Sequence, residues 1–316
     1  MLHSELQVNE YLYLAEQREE NVIQGDVVCV DSNSSSPTVT HVIPAGGRNN
    51  ISGVTSLGDD VFVLRYPNQQ TIEVYDAKTF KLWRRITVPG LDGDSYGLAA
   101  CPHNNCLYAS DHGNNSVHRV ELSGSNAVKK WSVARSPVGL SVNSEHNLLV
   151  VSQAERKLQI FTTHGKRLQK IPLQAGIERP WHAVQLPAGQ FLVSHYGSLH
   201  GVCLVGVDGY VVRSYGGRHG YQLTQTHYPA ALAVDREGRV LVADRWNNRL
   251  LVIDQSLSSA HEMSVRAPVG LYAPCSLWYD QSRRRLYIGE GNQNEGRVIV
   301  IDNLKDFSTV HVGSRL

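Results

Sequence analysis

The sequence contains no long apolar run: nothing in its 316 residues approaches the stretch of about 20 that a membrane-crossing helix needs. The opening MLHSELQVNE shows no basic region followed by an apolar segment, so no signal peptide is predicted. A charge of one sign is missing too. Lys and Arg number 30 against 29 Asp and Glu, a formal charge of +1, which excludes any global attraction to nucleic acid or acidic membranes. Cysteine is sparse, and its five positions (29, 101, 106, 203 and 275) are odd in number and scattered, so they form no disulfide framework. Cys101 and Cys106 flank the turn CPHNNC, but no second Cys or His pair stands at zinc-ligand spacing, so neither metal nor cofactor is expected. The sequons at Asn33, Asn50 and Asn114 carry no weight without a secretion signal. These absences predict a reduced, soluble, cytoplasmic chain with no membrane partner. Helical periodicity is also missing throughout.

What the sequence does contain is a repeat. The strand VLVAD (240–244) finds counterparts in LYLAE, VFVLR, LYASD, LVVSQ, FLVSH and LYIGE, ending at residues 16, 65, 111, 153, 195 and 290. In chain order the ends lie 49, 46, 42, 42, 49 and 46 positions apart. Each copy is a mostly apolar run closed by a polar or charged residue. Within one copy four strands can be read, for example ALAVD, RVLVAD, LLVID and a last strand near HEMSV. A period of roughly 40 to 50 residues with four short strands each is that of a β-propeller.

The reading is therefore all-β: one domain over residues 1–316, a propeller of four-stranded antiparallel blades. Six first strands are clear, starting near Gly53, Gly97, Gly139, His182, Ala231 and Ser276. YLYLAEQ, DVVCVD and TVTHVIP supply an early second, third and fourth strand, so seven blades are favoured, with six as the close alternative. The corresponding repeats lie near 1–46, 47–90, 91–135, 136–175, 176–222, 223–268 and 269–316.

The stretch YPAALAVDREGRVLVADRWNNRLLVID (228–254) resembles an NHL repeat, whose pattern runs proline, small residue, apolar pair, Asp, Gly turn, strand, Asp, Asn, Arg, strand. SPVGLSVNSEHNLLVVSQAERKLQIFTTHGK and YGLAACPHNNCLYASDHGNNSVHRVEL match more loosely. Such propellers usually have six blades and often end tripartite-motif ubiquitin ligases, where they bind RNA or protein. The Cys/His-rich zinc modules of those ligases have no counterpart here, so the resemblance implies a binding module, monomeric as an isolated domain.

The loop DRWNNR poses the functional question. Asp244 and Arg249 can pair across a tight hairpin, and Asn247 and Asn248 suit its turn. Arg245 and Trp246 are not needed to turn a chain. In a propeller, second-to-third turns share one face with the links between blades. Sorting residues this way places Arg48, Arg65, Tyr66, Arg135, Arg156, Arg179, Trp181, His195, Tyr196, Arg218, His219, Tyr221, Tyr228, Arg245, Trp246 and Tyr272 on one face. The opposite face is mixed to acidic. The candidate ligand residues are Arg65, Tyr66, Arg135, Arg156, Arg179, Trp181, His195, Tyr196, Arg218, Tyr228, Arg245, Trp246 and Tyr272. Arginine interleaved with aromatics suits single-stranded or stem-loop RNA, the leading partner, because guanidinium holds phosphate and rings stack bases. It also suits a protein or peptide hot spot, and the composition does not separate the two.

Catalysis is the least favoured reading. An amidating lyase similar to NHL propellers places zinc-binding histidines at the channel ends of successive first strands, but here His182 stands alone among small residues. Crowding where inner strands converge accounts for those small residues. GDSYG (93–97) formally fits a nucleophile motif around Ser95, but no helix follows to form the elbow that motif needs.

Overall fold

The computed structural model describes residues 39–44, 50–66, 70–263, 270–291 and 296–304. The strands LYLAE and DVVCVD, together with Cys29, Asn33 and Arg48, lie outside the described residues.

The apolar runs set the architecture. Cys106–Asp111, Leu148–Ser152 and Val240–Asp244 are buried at every position, which requires cover on both faces of the sheet. Outermost strands such as Arg167–Pro172 are mostly exposed. Strands of both kinds assemble into six four-stranded sheets, each running in sequence order from an innermost to an outermost strand except the last. Blades 1 to 5 span residues 50–87, 98–132, 137–172, 179–217 and 229–262.

Blade 6 takes its three inner strands from Pro274–Asp280, Arg285–Glu290 and Val298–Ile301. Its outermost strand is Val39–Ile43, paired antiparallel from Val39 opposite Ile301 to Ile43 opposite Val298. This corrects the favoured count of seven. TVTHVIP is indeed a fourth strand, but the blade it completes is the C-terminal one, so the propeller has six blades. Packing leaves no gap for another. Each of six apolar clusters joins one pair of neighbouring blades, and the cluster of Ile51, Val63, Tyr287 and Val298 closes the ring between blades 6 and 1.

The inner strands converge on a central channel. Gly97, Gly139, His182, Ala231 and Ser276 line it. A methyl group on Gly97 would lie 2.2 Å from the Val138 carbonyl oxygen, and one on Gly139 2.4 Å from that of Trp181. Crowding by the next blade therefore dictates small residues here. Five of the six inner strands also carry an irregularity near one end, at 51/53, 137/140, 180/182, 229/231 and 274/276. In blades 1, 4 and 6 the residue at this irregularity, Ser52, Trp181 or Cys275, reaches the channel mouth.

Candidate functional site

Second-to-third turns and interblade links meet on one face, termed upper here. Gln153 N donates to Ser136 O (2.9 Å), Arg245 N to Tyr228 O (3.2 Å) and Gly291 N to Ala273 O (3.1 Å). The accepting residues Ser136, Tyr228 and Ala273 each precede a proline and have φ of 56°, 58° and 43°. Proline closes the right-handed region to the residue before it, and these three occupy the left-handed one.

A clasp between the second and third strands recurs below this face in every blade. Asp244 is fully buried; its Oδ1 accepts His227 N at 2.6 Å and its Oδ2 accepts Asn247 Nδ2 and Arg249 Nε, both at 2.8 Å. Arg249 also donates to the carbonyls of Tyr221 (2.7 Å), Gln222 (3.0 Å) and Gln225 (2.8 Å), pinning the link from blade 4. Blade 6 repeats this with Glu290, which accepts Tyr272 N at 2.7 Å and pairs with Arg297. Blades 1 to 4 place Arg65–Glu73 (2.7 Å), Asp111–His118 (2.8 Å), Ser152–Gln159 (3.3 Å) and His195–Cys203 (3.4 Å) at the same location. The Asp244–Arg249 pair thus forms as the sequence suggests. Arg65 and His195, expected on the face, are only 9% and 5% exposed because they serve these clasps. Strand alternation turns each of them inward and sends the following residue, Tyr66 or Tyr196, to the mouth.

At the mouth is a cavity of about 400 Å³ to which all six blades contribute. Its aromatic wall is nearly continuous. Tyr66 stacks on Tyr96 (centroids 5.2 Å, 24°), and Tyr96 meets Trp181 edge-on at 5.4 Å. Trp181 contacts Tyr196 (6.1 Å) and Tyr228 (5.4 Å), and Tyr196 lies 4.1 Å from Tyr228. Asn50, His112, Gln153 and Cys275 complete the lining with Ile51 and Ser52, and Arg245 places its guanidinium 5.3 Å from the Tyr228 ring centre. Burial raises the phenols of Tyr96 and Tyr228 and pushes the Cys275 thiol up to about 11. Among the described lining residues, Arg245 alone carries a permanent charge.

Of the candidate residues, Tyr66, Trp181, Tyr196, Tyr228 and Arg245 come together in this cup. Trp246 stands behind it, stacked on Tyr228 at 5.1 Å and meeting His227 edge-on at 4.6 Å. Arg135, Arg156, Arg179 and Arg218 are exposed, with Arg179 over Tyr196 at 5.6 Å. Tyr272 is half-buried and outside the lining. Sequence reasoning missed Tyr96, His112, Gln153, Asn50 and Cys275. A signal for two of these existed: Tyr96 and Cys275, like Trp181, come one residue before a small or imidazole channel residue.

Beneath the cup, past Tyr96 and Trp181, a chamber of about 440 Å³ follows the inner strands toward the other face. His182 borders it, its Nε2 donating to Leu140 O and its Nδ1 accepting from Leu232 N, both at 3.3 Å. The neutral ring thus ties blade 4 to blades 3 and 5, and burial pushes its pKa down to about 4. Ser95 is buried, its hydroxyl donating to Asp92 O at 2.9 Å in an interblade link. Cys101 and Cys106 face each other in register as free thiols. Among the described residues no group of three His, Cys, Asp or Glu is placed to hold a metal ion, and no helix is long and apolar enough to cross a membrane.

The NHL repeat family matches residues 226–253, the blade with the complete Asp–Asn–Arg clasp. No curated protein sequence matches the chain. Among solved structures, Kuenenia stuttgartiensis hydrazine synthase is similar over 90% of this chain and 100% of its own, at 15% identity and TM-score 0.61. A Bacteroides caccae protein of unknown function aligns over 78% of this chain and 92% of its own, at 16% identity and TM-score 0.60. Virginiamycin B lyase from Staphylococcus aureus, with quinupristin, aligns over 84% of this chain and 89% of its own, at 11% identity and TM-score 0.58. At these identities the likeness is one of fold.

Proposed function

We propose that this propeller is a non-catalytic, cytoplasmic binding platform whose upper face takes single-stranded or stem-loop RNA. The observation that carries the reading is the pairing of an aromatic mouth with the exposed arginines Arg135, Arg156, Arg179 and Arg218. Phosphates on the arginines would hold a strand across the face, and an unstacked base would gain about 1–3 kcal/mol on an aromatic ring. The resemblance of the 228–254 stretch to propellers that end tripartite-motif ligases supports the same reading. A peptide is the second reading, favoured by Leu199, Tyr221 and Leu223, which are 47%, 64% and 45% exposed on this face.

Selection from a randomised RNA pool at two salt concentrations tests the proposal. A short enriched motif, bound more weakly as salt rises, is the expected result. A pool that stays random at both concentrations would remove RNA and leave the peptide.

A further inference from the structure

The chamber of about 440 Å³ beneath the cup has an apolar middle to which every blade contributes one aliphatic side chain: Val54, Leu98, Leu140, Val184, Leu232 and Leu277. The polar groups beside them are turned to neighbouring strands. Ser276 Oγ accepts Val54 N at 3.0 Å, Ser141 Oγ donates to Ala183 O at 2.8 Å, and both nitrogens of His182 are committed between blades. A water in this stretch would lack the roughly two to four polar partners it needs, so the wall is poorly hydrated. The two ends differ. Ser52, Tyr96, Trp181 and Cys275 line both the chamber and the cup, and so form the partition between them. The opposite end is rimmed by Asn143, His146, Asp280 and Gln281, at first-to-second turns. His146 stacks on His103 with centroids 4.0 Å apart, and Asn143 Nδ2 donates to Gln185 Oε1 at 2.7 Å. Asp280, the one acid of the described lining, accepts the hydroxyls of Ser56 (3.1 Å) and Ser282 (2.6 Å) and the backbone N of Arg283 (3.2 Å). None of the described lining residues is a Lys or Arg.

We infer that the chamber is a binding site, separate from the cup, for an uncharged and largely apolar polycyclic molecule that enters from the face opposite the cup. The inference owes nothing to the reading of the upper face as an RNA surface. An apolar cavity of about 150 Å³ takes one benzene ring, so about 440 Å³ takes up to about three fused rings. The volume also lies within the roughly 300–1,000 Å³ of small-molecule sites. The ring system lies among the six aliphatic side chains, and one polar substituent stays at the rim beside Asn143, His146 and Gln281. A charged group fits neither place. The wall offers it no hydrogen-bonding partner, an anion finds no basic side chain in the lining, and a cation meets a carboxylate already held by Ser56 and Ser282.

Titration of the full chain with 1-aminoanthracene, which is uncharged at pH 7 and brightens in apolar surroundings, tests the inference. A saturable rise in fluorescence with one molecule bound per chain is the expected result. Aniline and 1-naphthylamine carry the same amine on one and two rings, and are read by displacement of the dye. Affinity should rise about tenfold with each added ring, as apolar area enters the chamber. Val184→Trp extends a half-buried side chain of the wall and should weaken the dye at least about tenfold. Gln153→Trp adds the same indole to the cup and should leave the dye where it is. Urea unfolding checks that each variant is folded. Ser141→Leu, a smaller obstruction in blade 3, carries the test if the indole at 184 prevents folding. The absence of a saturable signal would overturn the inference, as would an affinity that the folded chamber variants leave unchanged. Loss of the dye in Gln153→Trp would place it in the cup and overturn the inference too.

Discussion

Blades 4 and 5 put different chemistry in one place. In blade 5 a buried carboxylate, Asp244, joins Arg249 and the link ahead of the blade; in blade 4 a neutral imidazole, His195, faces the Cys203 thiol. Both occupy the end of the second strand, enclosed between neighbouring blades. The comparison separates what the fold requires from what it tolerates. It requires a polar pair between the second and third strands beneath the upper face; an ion pair, an Asp–His pair, Ser–Gln and His–Cys all satisfy that. Charge is optional, but its consequences for stability are not the same.

The largest expected effect lies in blade 5. Asp244→Ala leaves Arg249, 6% exposed, without its counter-charge and frees His227 N and Asn247. Removing one partner of a buried pair costs about 3–5 kcal/mol; the three carbonyls that Arg249 retains place this case near 3. Equilibrium urea unfolding measures it, and Asp244→Asn should recover part of the loss. A change under about 1 kcal/mol would mean that the carbonyls alone satisfy Arg249 and that the clasps of blades 4 and 5 are energetically alike.

The same contrast explains how much could be read from the sequence. The strand runs and their spacing pointed to the propeller because the second and third strands of every blade are covered on both faces. The Asp–Asn–Arg clasp was legible in blade 5, where the family match also falls, and unreadable in blade 4, where His195 and Cys203 do the same work without a recognisable pattern. Blade number was misread because a fourth strand borrowed from the opposite end of the chain, Val39–Ile43, looks like the end of a repeat of its own. Five cup residues were in the candidate set. Arg65 and His195 were misplaced by one step of strand alternation, and Tyr96 was missed although it stands in the link one residue before Gly97, as Trp181 stands before His182.

Acid separates the two blades next. Burial, reinforced by His200, holds His195 down at about 4 against an ordinary 6.5. The unfolded chain therefore binds this proton first as pH falls, so the stabilising contribution is complete above about 6.5 and is lost as pH falls toward 4. Between pH 7 and pH 5 the loss attributable to His195 is about 2 kcal/mol. His182 and His227, also near 4, add losses of the same sign. His195→Gln should flatten the fall in unfolding free energy across this window without abolishing it. An unchanged slope would place the acid sensitivity in the other imidazoles that burial holds down, His118, His182, His200 and His227, and remove blade 4's clasp from the comparison.

The smallest effects divide the DRWNNR loop itself. From sequence, Arg245 and Trp246 form one unit, dispensable for stability and needed for binding. The structure gives them different neighbours: Arg245 borders the cup, whereas Trp246 backs its wall by stacking on Tyr228 and His227. Tyr228 is 7% exposed and sits in the left-handed region between Tyr196 and Trp246, so it depends on both rings to stay there. Trp246→Ala removes one of those supports and should cost about 1–2 kcal/mol by loss of aromatic packing. Arg245→Ala, which removes the guanidinium from over the Tyr228 ring, should cost less, about 0.5–1 kcal/mol in urea unfolding. Equal costs for the two would mean that the guanidinium over Tyr228 braces the wall as much as Trp246 does. The cup would then owe its shape, as well as its charge, to Arg245.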